Sequence, residues 1–220
     1  MGQDNNEQLY QRQREAMVEN QIKGRGITDT KILNAMRQVP RHLFMPSGAR
    51  ESAYQDRPVP IGHGQTISQP YIVARMIDQL ELRGGEKILE IGTGMGYQTA
   101  VLAEIGEEVY SVERIPELMK RAEQIYERLG IDNAILKTGD GTKGWPEYAP
   151  FDRIIVAAAA ETIPEILKEQ LAVDGIMIIP VGRHQFGQQL YRIRRNSEQS
   201  FTTETLDYVA FVPLIPDKEG

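Results

Sequence analysis

The spacing of hydrophobic residues divides the chain into two stretches with different patterns. In residues 5–36 and 70–80, apolar side chains recur every three to four positions, as they do on the buried face of a helix. From residue 87 onward, short apolar runs alternate with helical stretches, which is typical of a parallel sheet covered on both faces. The pattern therefore predicts an N-terminal helical segment followed by an α/β domain.

Three helices are predicted before the sheet. The first spans residues 5–23, and the second has Thr28 as its N-cap and ends before Pro40, whose ring cannot extend a helix. The third begins at Pro70, because proline is favoured at the first helical position. Residues 40–69 contain many prolines and glycines and are predicted to form a loop. A loop of this length in a compact domain is usually functional or disordered.

The second stretch supplies a series of strands and helices. Its apolar runs predict five strands of a parallel sheet, at residues 88–91, 108–112, 134–136, 154–156 and 176–179. Helices are predicted at residues 97–105, at 116–129 and from Pro164. Residues 189–194 and 201–212 are predicted to form two antiparallel strands. The fold class is therefore a doubly wound, mostly parallel Rossmann-like α/β sheet with an N-terminal helical extension and a C-terminal antiparallel strand pair.

Composition narrows the class of protein to which this chain can belong. A chain of 220 residues that is 40% hydrophobic fits one globular domain. The polar N-terminus and the lack of a long apolar run predict a cytoplasmic protein with no membrane contact. The formal charge of −6 predicts that nucleic acid is not a partner, because phosphates are repelled. The absence of cysteine excludes disulfides, thiolate zinc sites and a cysteine nucleophile.

A glycine-rich segment lies between the first sheet strand and the next helix. Gly92, Gly94 and Gly96 follow Glu90, and glycines allow a tight turn and close approach of a ligand to the backbone. A dinucleotide-binding loop would have Gly or Ala at position 97, where Tyr97 stands. The spacing instead resembles the first motif of class I methyltransferases. That resemblance implies that Glu90 meets the ammonium of S-adenosylmethionine and that loop amides face its carboxylate.

Two acidic positions follow the next strands. Glu113 ends the second strand, from which a carboxylate can accept hydrogen bonds from both ribose hydroxyls. Asp140 and Gly141 follow the third strand and resemble the pair that recognises adenine. Each feature alone is compatible with an exposed loop acid or an ordinary turn. Their order at successive strand ends favours a cofactor site.

Segments outside the glycine loop carry a more specific resemblance. Residues 64–70 read Gly-Gln-Thr-Ile-Ser-Gln-Pro, residues 40–44 read Pro-Arg-His-Leu-Phe, and residues 211–214 read Phe-Val-Pro-Leu. These segments resemble the protein-L-isoaspartate O-methyltransferase family, and the resemblance runs from about Met17 to Leu214. It also includes residues 141–146, 149–152, 180–182 and 188–190.

The resemblance implies an enzyme that transfers the methyl group of S-adenosylmethionine to the free carboxylate of L-isoaspartyl residues in damaged proteins and peptides. Acceptance of D-aspartyl residues is left open. The methyl ester is expected to cyclise to a succinimide and so to initiate repair. An isoaspartyl carboxyl has a pKa of about 4, so it is already an ionised nucleophile at neutral pH and needs no general base. Catalysis is therefore expected to rest on proximity and orientation.

The resemblance also assigns roles to residues. Ser68 is the catalytic serine, and from the residues alone it could also be a plain N-cap. The expected cofactor contacts are Thr66, Ile67, Glu90, Gly92, Thr93, Gly94, Gly96, Glu113, Asp140, Gly141 and Gln188. The expected contacts to the peptide are Ile61, Ser68, Val212, Pro213 and Leu214. Without the resemblance, residues 212–214 would be read as an ordinary strand end.

One domain, residues 1–220, is expected to carry this activity. Residues 1–85 would form the acceptor side, residues 86–182 the S-adenosylmethionine-binding core, and residues 183–220 the C-terminal strands and tail. A monomer acting on isoaspartyl proteins is expected. No metal is expected, because His42, His63 and His184 lack the spacing of metal ligands.

Two other functions remain open from the sequence. One is a methyltransferase acting on amines of nucleic acids or small molecules. Enzymes of that kind acting on DNA bases typically carry an Asp/Asn-Pro-Pro-aromatic motif after the fourth strand, where residues 157–160 are all alanine. The other is a non-catalytic protein that binds the cofactor or a dinucleotide as a sensor. Titration with each ligand would separate these functions.

Overall fold

A seven-stranded sheet forms the centre of the protein in the computed structural model, which describes residues 2–183 and 187–217. His184 and residues 218–220 lie outside the described residues. The strands of this sheet are β3 Lys87–Ile91, β4 Glu108–Glu113, β5 Ala134–Thr138, β6 Phe151–Val156, β7 Leu171–Val181, β8 Gln188–Arg195 and β9 Phe201–Val209. The helices are α1 Gly2–Ala16, α2 Thr30–Gln38, α3 Pro70–Asp78, α4 Tyr97–Ala103, α5 Pro116–Leu129 and α6 Glu165–Glu169.

The strand order in the sheet is β5-β4-β3-β6-β7-β8-β9. Strands β3 to β7 are parallel, and β8 and β9 are added antiparallel to that edge. The chain fills one side of β3 with β4 and β5 and then crosses to the other side with β6. This reversal opens a crevice outside the carboxyl ends of β3 and β6, where α/β proteins bind ligands. The predicted fold class is confirmed.

Both faces of the sheet are buried, in agreement with the apolar runs of its strands. On one face Ile88, Val109 and Ile155 pack against the N-terminal helical segment. On the other face Leu89 and Ile154 belong to a second cluster that includes the aromatic residues Tyr110, Trp145 and Phe151. Successive residues of a strand point to opposite faces, so a strand covered on both sides is apolar throughout.

The first two helices differ in detail from the prediction. Helix α1 continues as a π-helical stretch, Met17–Ile22, and as a 3₁₀ turn, Lys23–Arg25. The prediction of Thr28 as the N-cap of α2 is wrong, because Asp29 takes that position. The Asp29 carboxylate accepts a hydrogen bond of 2.8 Å from the amide of Lys31. Aspartate competes well with threonine for this position.

The predicted loop over residues 40–69 is partly ordered secondary structure. Two 3₁₀ turns, Arg41–Phe44 and Ser47–Ser52, are followed by a hairpin of β1 Val59–Gly62 and β2 Gln65–Ile67. Val59 pairs with Ile67 in this hairpin, whose second strand leads directly to the residues before α3. The hairpin thus carries residues 66–68 to the edge of the crevice.

The last predicted strand is too long at its C-terminal end. Strand β9 ends at Val209, and residues 211–214 leave the sheet. They lie instead beside the segment that follows β6, where the amide of Ala159 donates to Val212 O and the amide of Leu214 donates to Ala159 O, both at 2.8 Å. We call residues 211–214 the C-terminal strip. It forms one wall of the crevice.

Candidate active site

A cleft lies outside the carboxyl ends of the parallel strands, where α/β proteins bind their ligands. Its walls come from the ends of β3 and β4, from the segment after β6, from the hairpin and from the C-terminal strip. Of the residues expected at the site, the cleft is lined by Ile61, Thr66, Ile67, Ser68, Gly92, Thr93, Gly94, Glu113, Gly141, Val212, Pro213 and Leu214. The structure therefore brings most of the expected site residues together.

The glycine loop presents backbone to this cleft. Gly92 and Gly94 have φ of +97° and +57°, a region that residues with a Cβ adopt with strain. A Cβ at Gly92 would lie 3.4 Å from Ala157 Cβ, and one at Gly94 would lie 3.4 Å from Ile61 Cδ1. Both side chains that would be met line the cleft. Glycine at these two positions therefore keeps the backbone accessible from the cleft.

Gly96 has a different role. A Cβ at this position would lie 2.7 Å from the ring of Tyr126, and the Tyr126 hydroxyl donates a 2.7 Å hydrogen bond to Gly96 O. Gly96 is the N-cap of α4 with φ of +93° and does not line the cleft. Its lack of a side chain allows α5 to pack against the loop, and the cofactor contact that the resemblance implies for it stays a prediction.

Glu113 braces the glycine loop. One carboxylate oxygen accepts a 2.8 Å hydrogen bond from the amide of Gly94, and the other accepts one of 2.9 Å from the amide of Ile115. Burial raises the pKa of Glu113, and the bonds from the backbone amides counteract part of that effect. The carboxylate lines the cleft at the end of β4, where it can accept further hydrogen bonds from a ligand.

Glu90 does not line the cleft. Its carboxylate is fully buried and accepts hydrogen bonds from Gln98 Nε2 at 3.0 Å, Ser111 Oγ at 2.6 Å and the hydroxyl of Thr99. Burial raises the pKa of Glu90 to about 7 despite these donors. Ser111 Oγ lies 2.6 Å from Thr93 Oγ1, and Thr93 is part of the cleft wall. Glu90 thus supports the loop from behind instead of facing the cleft.

Asp140 and Gly141 also differ in their position relative to the cleft, because only Gly141 lines it. Gly141 lines the cleft, and a Cβ there would lie 2.5 Å from Ile91 Cγ2. Asp140 caps a 3₁₀ turn, accepting from Thr142 N at 2.9 Å and from Asp217 N at 3.2 Å. Burial alone would raise the pKa of Asp140, but the bonds from Thr142 and Asp217 leave it lowered. Asp140 holds the turn that presents Gly141.

Ser68 lines the same cleft as the glycine loop. The N-cap of α3 is Gln69, so Ser68 precedes the cap and is not a capping serine. Ser68 also lines a second cleft, which it shares with Thr66, Ala157 and Val212 of the first cleft. The second cleft continues past Tyr208 to the surface. Ser68 therefore stands where the two clefts meet.

The C-terminal strip is fixed by Gln188. The side-chain amide of Gln188 donates to Phe211 O at 3.1 Å, and its carbonyl accepts from Phe211 N at 2.6 Å. Gln188 is buried and lines neither cleft. In this structure Gln188 holds the backbone of the C-terminal strip, and the cofactor contact that the resemblance implies for it stays a prediction.

Comparison with known protein families identifies this arrangement. A family model described as protein-L-isoaspartate(D-aspartate) O-methyltransferase matches residues 12–219. The chain belongs to this family. Membership confirms the predicted function, which is O-methylation of isoaspartyl carboxylates in proteins with S-adenosylmethionine as methyl donor.

Relatives of the isoaspartate methyltransferase family match nearly the whole chain. The chain is 52% identical to protein-L-isoaspartate O-methyltransferase 1 of Rhodopseudomonas palustris over 94% of this chain and 84% of the relative. It is 53% identical to protein-L-isoaspartate O-methyltransferase 2 of Pelobacter propionicus over 92% of this chain and 90% of the relative. The similarity therefore includes both the sheet domain and the N-terminal helices.

Solved structures agree with the fold. A protein-L-isoaspartate O-methyltransferase superposes with a TM-score of 0.81 at 29% identity, covering 91% of this chain and 65% of that one. A Plasmodium falciparum protein described as an isoaspartate methyltransferase, solved in complex with S-adenosylhomocysteine, gives a TM-score of 0.78 at 30% identity. That comparison covers 93% of this chain and 99% of the other.

The cleft of this isoaspartate methyltransferase fits S-adenosylmethionine. Ile91 and Val112 provide apolar walls, and Gly92 and Gly94 leave their backbone uncovered, as a ligand in close contact with the loop requires. The buried carboxylate of Glu113 provides a polar anchor at one position of this mostly apolar wall. Apolar walls combined with placed polar groups are typical of cofactor sites.

Several residues of the site were not expected from the sequence. They are Gln65, Val73, Ile91, Met95, Tyr97, Gln98, Val112, Arg114 and Ile215, all of which line the cleft. Tyr97 and Gln98 follow the glycine loop directly and could have been found from their place in the first turn of α4. Ile215 carries no local signal, because only the path of the C-terminal strip brings it to the cleft.

His42 and His63 are the two histidines that the structure describes. His42 is buried, stacks on Tyr10 at 4.1 Å between ring centroids, and its Nδ1 lies 2.8 Å from the hydroxyl of Tyr54. Burial lowers the pKa of His42 to about 4, so its ring is neutral. His63 occupies the hairpin turn with φ of +53°. Within residues 2–183 and 187–217, no group of three or more acidic or histidine side chains is arranged to hold a metal ion.

The part of the chain that the structure describes also contains no helix with the length and hydropathy needed to cross a membrane.

Proposed function

We propose that methyl transfer takes place where the two clefts meet, with the cofactor on the side of Gly94 and Glu113 and the isoaspartyl residue on the side of Ser68. The observation that carries this proposal is the position of Ser68, which lines both clefts. When bound, S-adenosylmethionine supplies a methyl group activated by its sulfonium as the electrophile. The residues of the chain bind the cofactor, orient the acceptor carboxylate and exclude water.

The cofactor side is proposed to bind through three kinds of contact. Glu113 accepts hydrogen bonds from ribose hydroxyls, because its carboxylate lies at the end of β4 and lines the cleft. The amide of Gly94 is held by Glu113 itself, so this amide is not a free donor for the ligand. The backbone at Gly92 and Thr93 and the side chain of Gln98 complete the wall on this side.

The acceptor side is proposed to orient the carboxylate. Ser68 Oγ donates a hydrogen bond to one carboxylate oxygen and directs the other toward the cofactor. The nearby walls, Ala157 and Ala158, carry only methyl groups and help to exclude water. A carboxylate is ionised at neutral pH, so this side needs no base and works by orientation.

The peptide is proposed to lie along the C-terminal strip, in the second cleft. Val212 and Phe211 line that cleft, and an extended peptide can bind backbone to backbone beside such a segment. Binding of this kind has little sequence preference, as a repair enzyme requires. We further propose that the protein acts as a monomer and not on nucleic acid, which its formal charge of −6 supports.

The decisive experiment uses two synthetic peptides that differ only in an isoaspartyl or a normal aspartyl linkage. The protein is expected to transfer a radiolabelled methyl group to the isoaspartyl peptide alone. Equal labelling of both peptides would overturn the proposed orientation of the acceptor carboxylate.

Ser68→Ala tests the role of the serine in the same assay. The variant is expected to lower kcat by about 10- to 100-fold, the loss of one hydrogen bond to a charged group. Its affinity for S-adenosylhomocysteine, measured by calorimetry, is expected to stay within about twofold of the unmodified protein. A parallel loss of affinity would instead make Ser68 part of the cofactor side. Ser47→Ala, in the 3₁₀ turn away from both clefts, is the matched control.

A further inference from the structure

Arg41 is a fully buried arginine that lines neither cleft. It begins the 3₁₀ turn Arg41–Phe44. The Nε atom donates to Ala53 O at 2.7 Å, and Nη2 donates to Ser68 O at 2.7 Å. A single side chain therefore ties the end of the second 3₁₀ turn to the backbone of the acceptor serine.

The same guanidinium contacts the cofactor side. Its central carbon lies 4.7 Å from the centre of the Tyr97 ring, in a cation–π arrangement. Tyr97 is buried, starts α4 immediately after the glycine loop, and lines the cofactor cleft. Arg41 thus lies between the residue that carries the acceptor hydroxyl and the first turn of the helix behind the cofactor.

The charge of Arg41 is unusual for a buried group. Among the residues that the structure describes, no carboxylate forms an ion pair with it, and its Nη1 has no hydrogen-bond partner. Burial lowers the pKa of Arg41 to about 10, so it remains charged at neutral pH. Burying a charge without a partner is costly, and such groups are uncommon away from functional sites. If this position served packing alone, an apolar side chain could fill it.

We propose that Arg41 is a positioning residue for methyl transfer, which sets the place of Ser68 relative to the cofactor through its planar fork on Ser68 O and Ala53 O. The inference rests on the proposed role of Ser68. Two nitrogens of one rigid group hold two backbone carbonyls, so the position of Ser68 follows that of the guanidinium. A lysine has the charge but lacks the rigid fork, and cannot reproduce this geometry.

Arg153 provides a matched comparison within the chain. Its side chain is largely buried, its Nε donates to a backbone carbonyl, that of Leu80, at 2.6 Å, and unlike Arg41 it has an acidic partner, Glu86, at 3.8 Å. Arg153 pairs with Ile88 near the amino end of β3, so it lies at the opposite end of the sheet from the clefts. A loss of stability should be shared by variants of both arginines, whereas a loss of positioning should be confined to Arg41.

The test compares Arg41→Lys and Arg41→Gln with Arg153→Lys in the full chain. Each protein is measured by calorimetry with S-adenosylhomocysteine and by steady-state methylation of the isoaspartyl peptide. Both Arg41 variants are expected to bind S-adenosylhomocysteine within about threefold of the unmodified protein and to lose on the order of 100-fold in kcat. Arg153→Lys is expected to retain both properties, with any effect limited to its unfolding midpoint.

A double-variant cycle completes the experiment. In the Ser68→Ala background, Arg41→Lys is expected to change kcat by only a few-fold, because the group it positions is absent. Full activity of Arg41→Lys, or a loss of S-adenosylhomocysteine affinity that parallels the loss of kcat in both variants, would overturn the inference. Failure of the unmodified protein to methylate the isoaspartyl peptide would instead overturn the proposed function, so the two failures are distinguishable.

Discussion

The two sides of the site are held in place by different kinds of group. On the cofactor side, buried carboxylates bind hydroxyls and amides, as Glu90 does with Ser111 and Glu113 with Gly94. On the acceptor side, side chains that line neither cleft bind backbone, as Arg41 does at Ser68 and Gln188 at Phe211. The comparison teaches that the proposed cofactor side is braced by carboxylates, one of which also lines the cleft, whereas the proposed acceptor side is braced by an arginine and an amide that line neither cleft.

The strongest test of the cofactor side is Gly96→Ala. The new Cβ would meet the Tyr126 ring at 2.7 Å, and φ of +93° would be strained for alanine. Crowding and strain together should lower the free energy of unfolding by about 3 kcal/mol. Urea unfolding followed by circular dichroism measures this change.

Gly26→Ala is the control for strain alone. Gly26 has φ of +95°, but a Cβ there would meet nothing within 4 Å. A loss of about 1 kcal/mol is expected, so the difference between the variants isolates the contact with Tyr126. Equal losses at the two positions would contradict the packing role given to Gly96.

The next largest effect concerns Glu90 and pH. Because burial raises the pKa of Glu90 from 4.5 to about 7, the folded protein binds its proton more tightly than the unfolded chain does. The resulting stability is present below pH 4.5 and is lost as pH rises through about 7. Glu90→Gln, which cannot ionise, should therefore gain stability relative to the unmodified protein at pH 8, by up to about 3 kcal/mol.

The measurement is the unfolding free energy of both proteins at pH 5 and pH 8. The difference between the proteins should grow with pH, since only the unmodified protein must ionise a buried carboxyl. Parallel profiles would show that Glu90 is not protonated in the folded state at neutral pH. Glu104→Gln, on the surface beyond α4, should leave the pH profile unchanged.

Glu90 and Gly96 also show how far the sequence could predict the site. The strand and helix pattern predicted the sheet because apolar runs and glycine stops are local signals. The order of the acids at strand ends pointed to Glu113, which lines the cleft, while its contact with ribose stays a prediction. Spacing alone could not tell that Glu90 points away from the cleft or that Gly96 faces Tyr126. Those outcomes depend on which side of β3 packs against α4 and α5, which only the assembled fold decides.

The acceptor side was harder to predict for a related reason. Residues 40–69 were predicted to be a loop because prolines and glycines interrupt any period, although a hairpin forms there. Ser68 was predicted through resemblance, and its backbone carbonyl accepts a part-buried hydrogen bond from Arg41, 27 residues earlier in the chain. Gln188 was assigned to the cofactor by the same route, yet its partner is a backbone 23 residues later.

A smaller effect is expected from Glu113→Gln. Alanine at this position would release Gly94 as well, whereas glutamine can still accept a hydrogen bond from that amide. The amide side chain is a weaker acceptor for ribose hydroxyls, so affinity for S-adenosylhomocysteine should fall by about 1–3 kcal/mol. Calorimetry measures this loss. The KM for the isoaspartyl peptide should change little, because Glu113 is proposed to contact only the cofactor.

Glu108→Gln is the control for Glu113, because Glu108 lies at the exposed start of the same strand. It should bind S-adenosylhomocysteine as the unmodified protein does. Unchanged affinity in Glu113→Gln would remove this carboxylate from the set of ribose contacts and leave it only its role as a brace for the loop.

The smallest effect is expected from Gln188→Ala, which tests the acceptor side through its backbone. The variant loses the two hydrogen bonds that fix Phe211, so the C-terminal strip should become less ordered and kcat/KM for the isoaspartyl peptide should fall by about tenfold. Affinity for S-adenosylhomocysteine should not change, because Gln188 lines neither cleft. Gln189→Ala, the neighbour on the other face of β8, is the control. A loss of cofactor affinity in Gln188→Ala without a change in peptide KM would restore this glutamine to the cofactor side and would remove the contrast between the two sides.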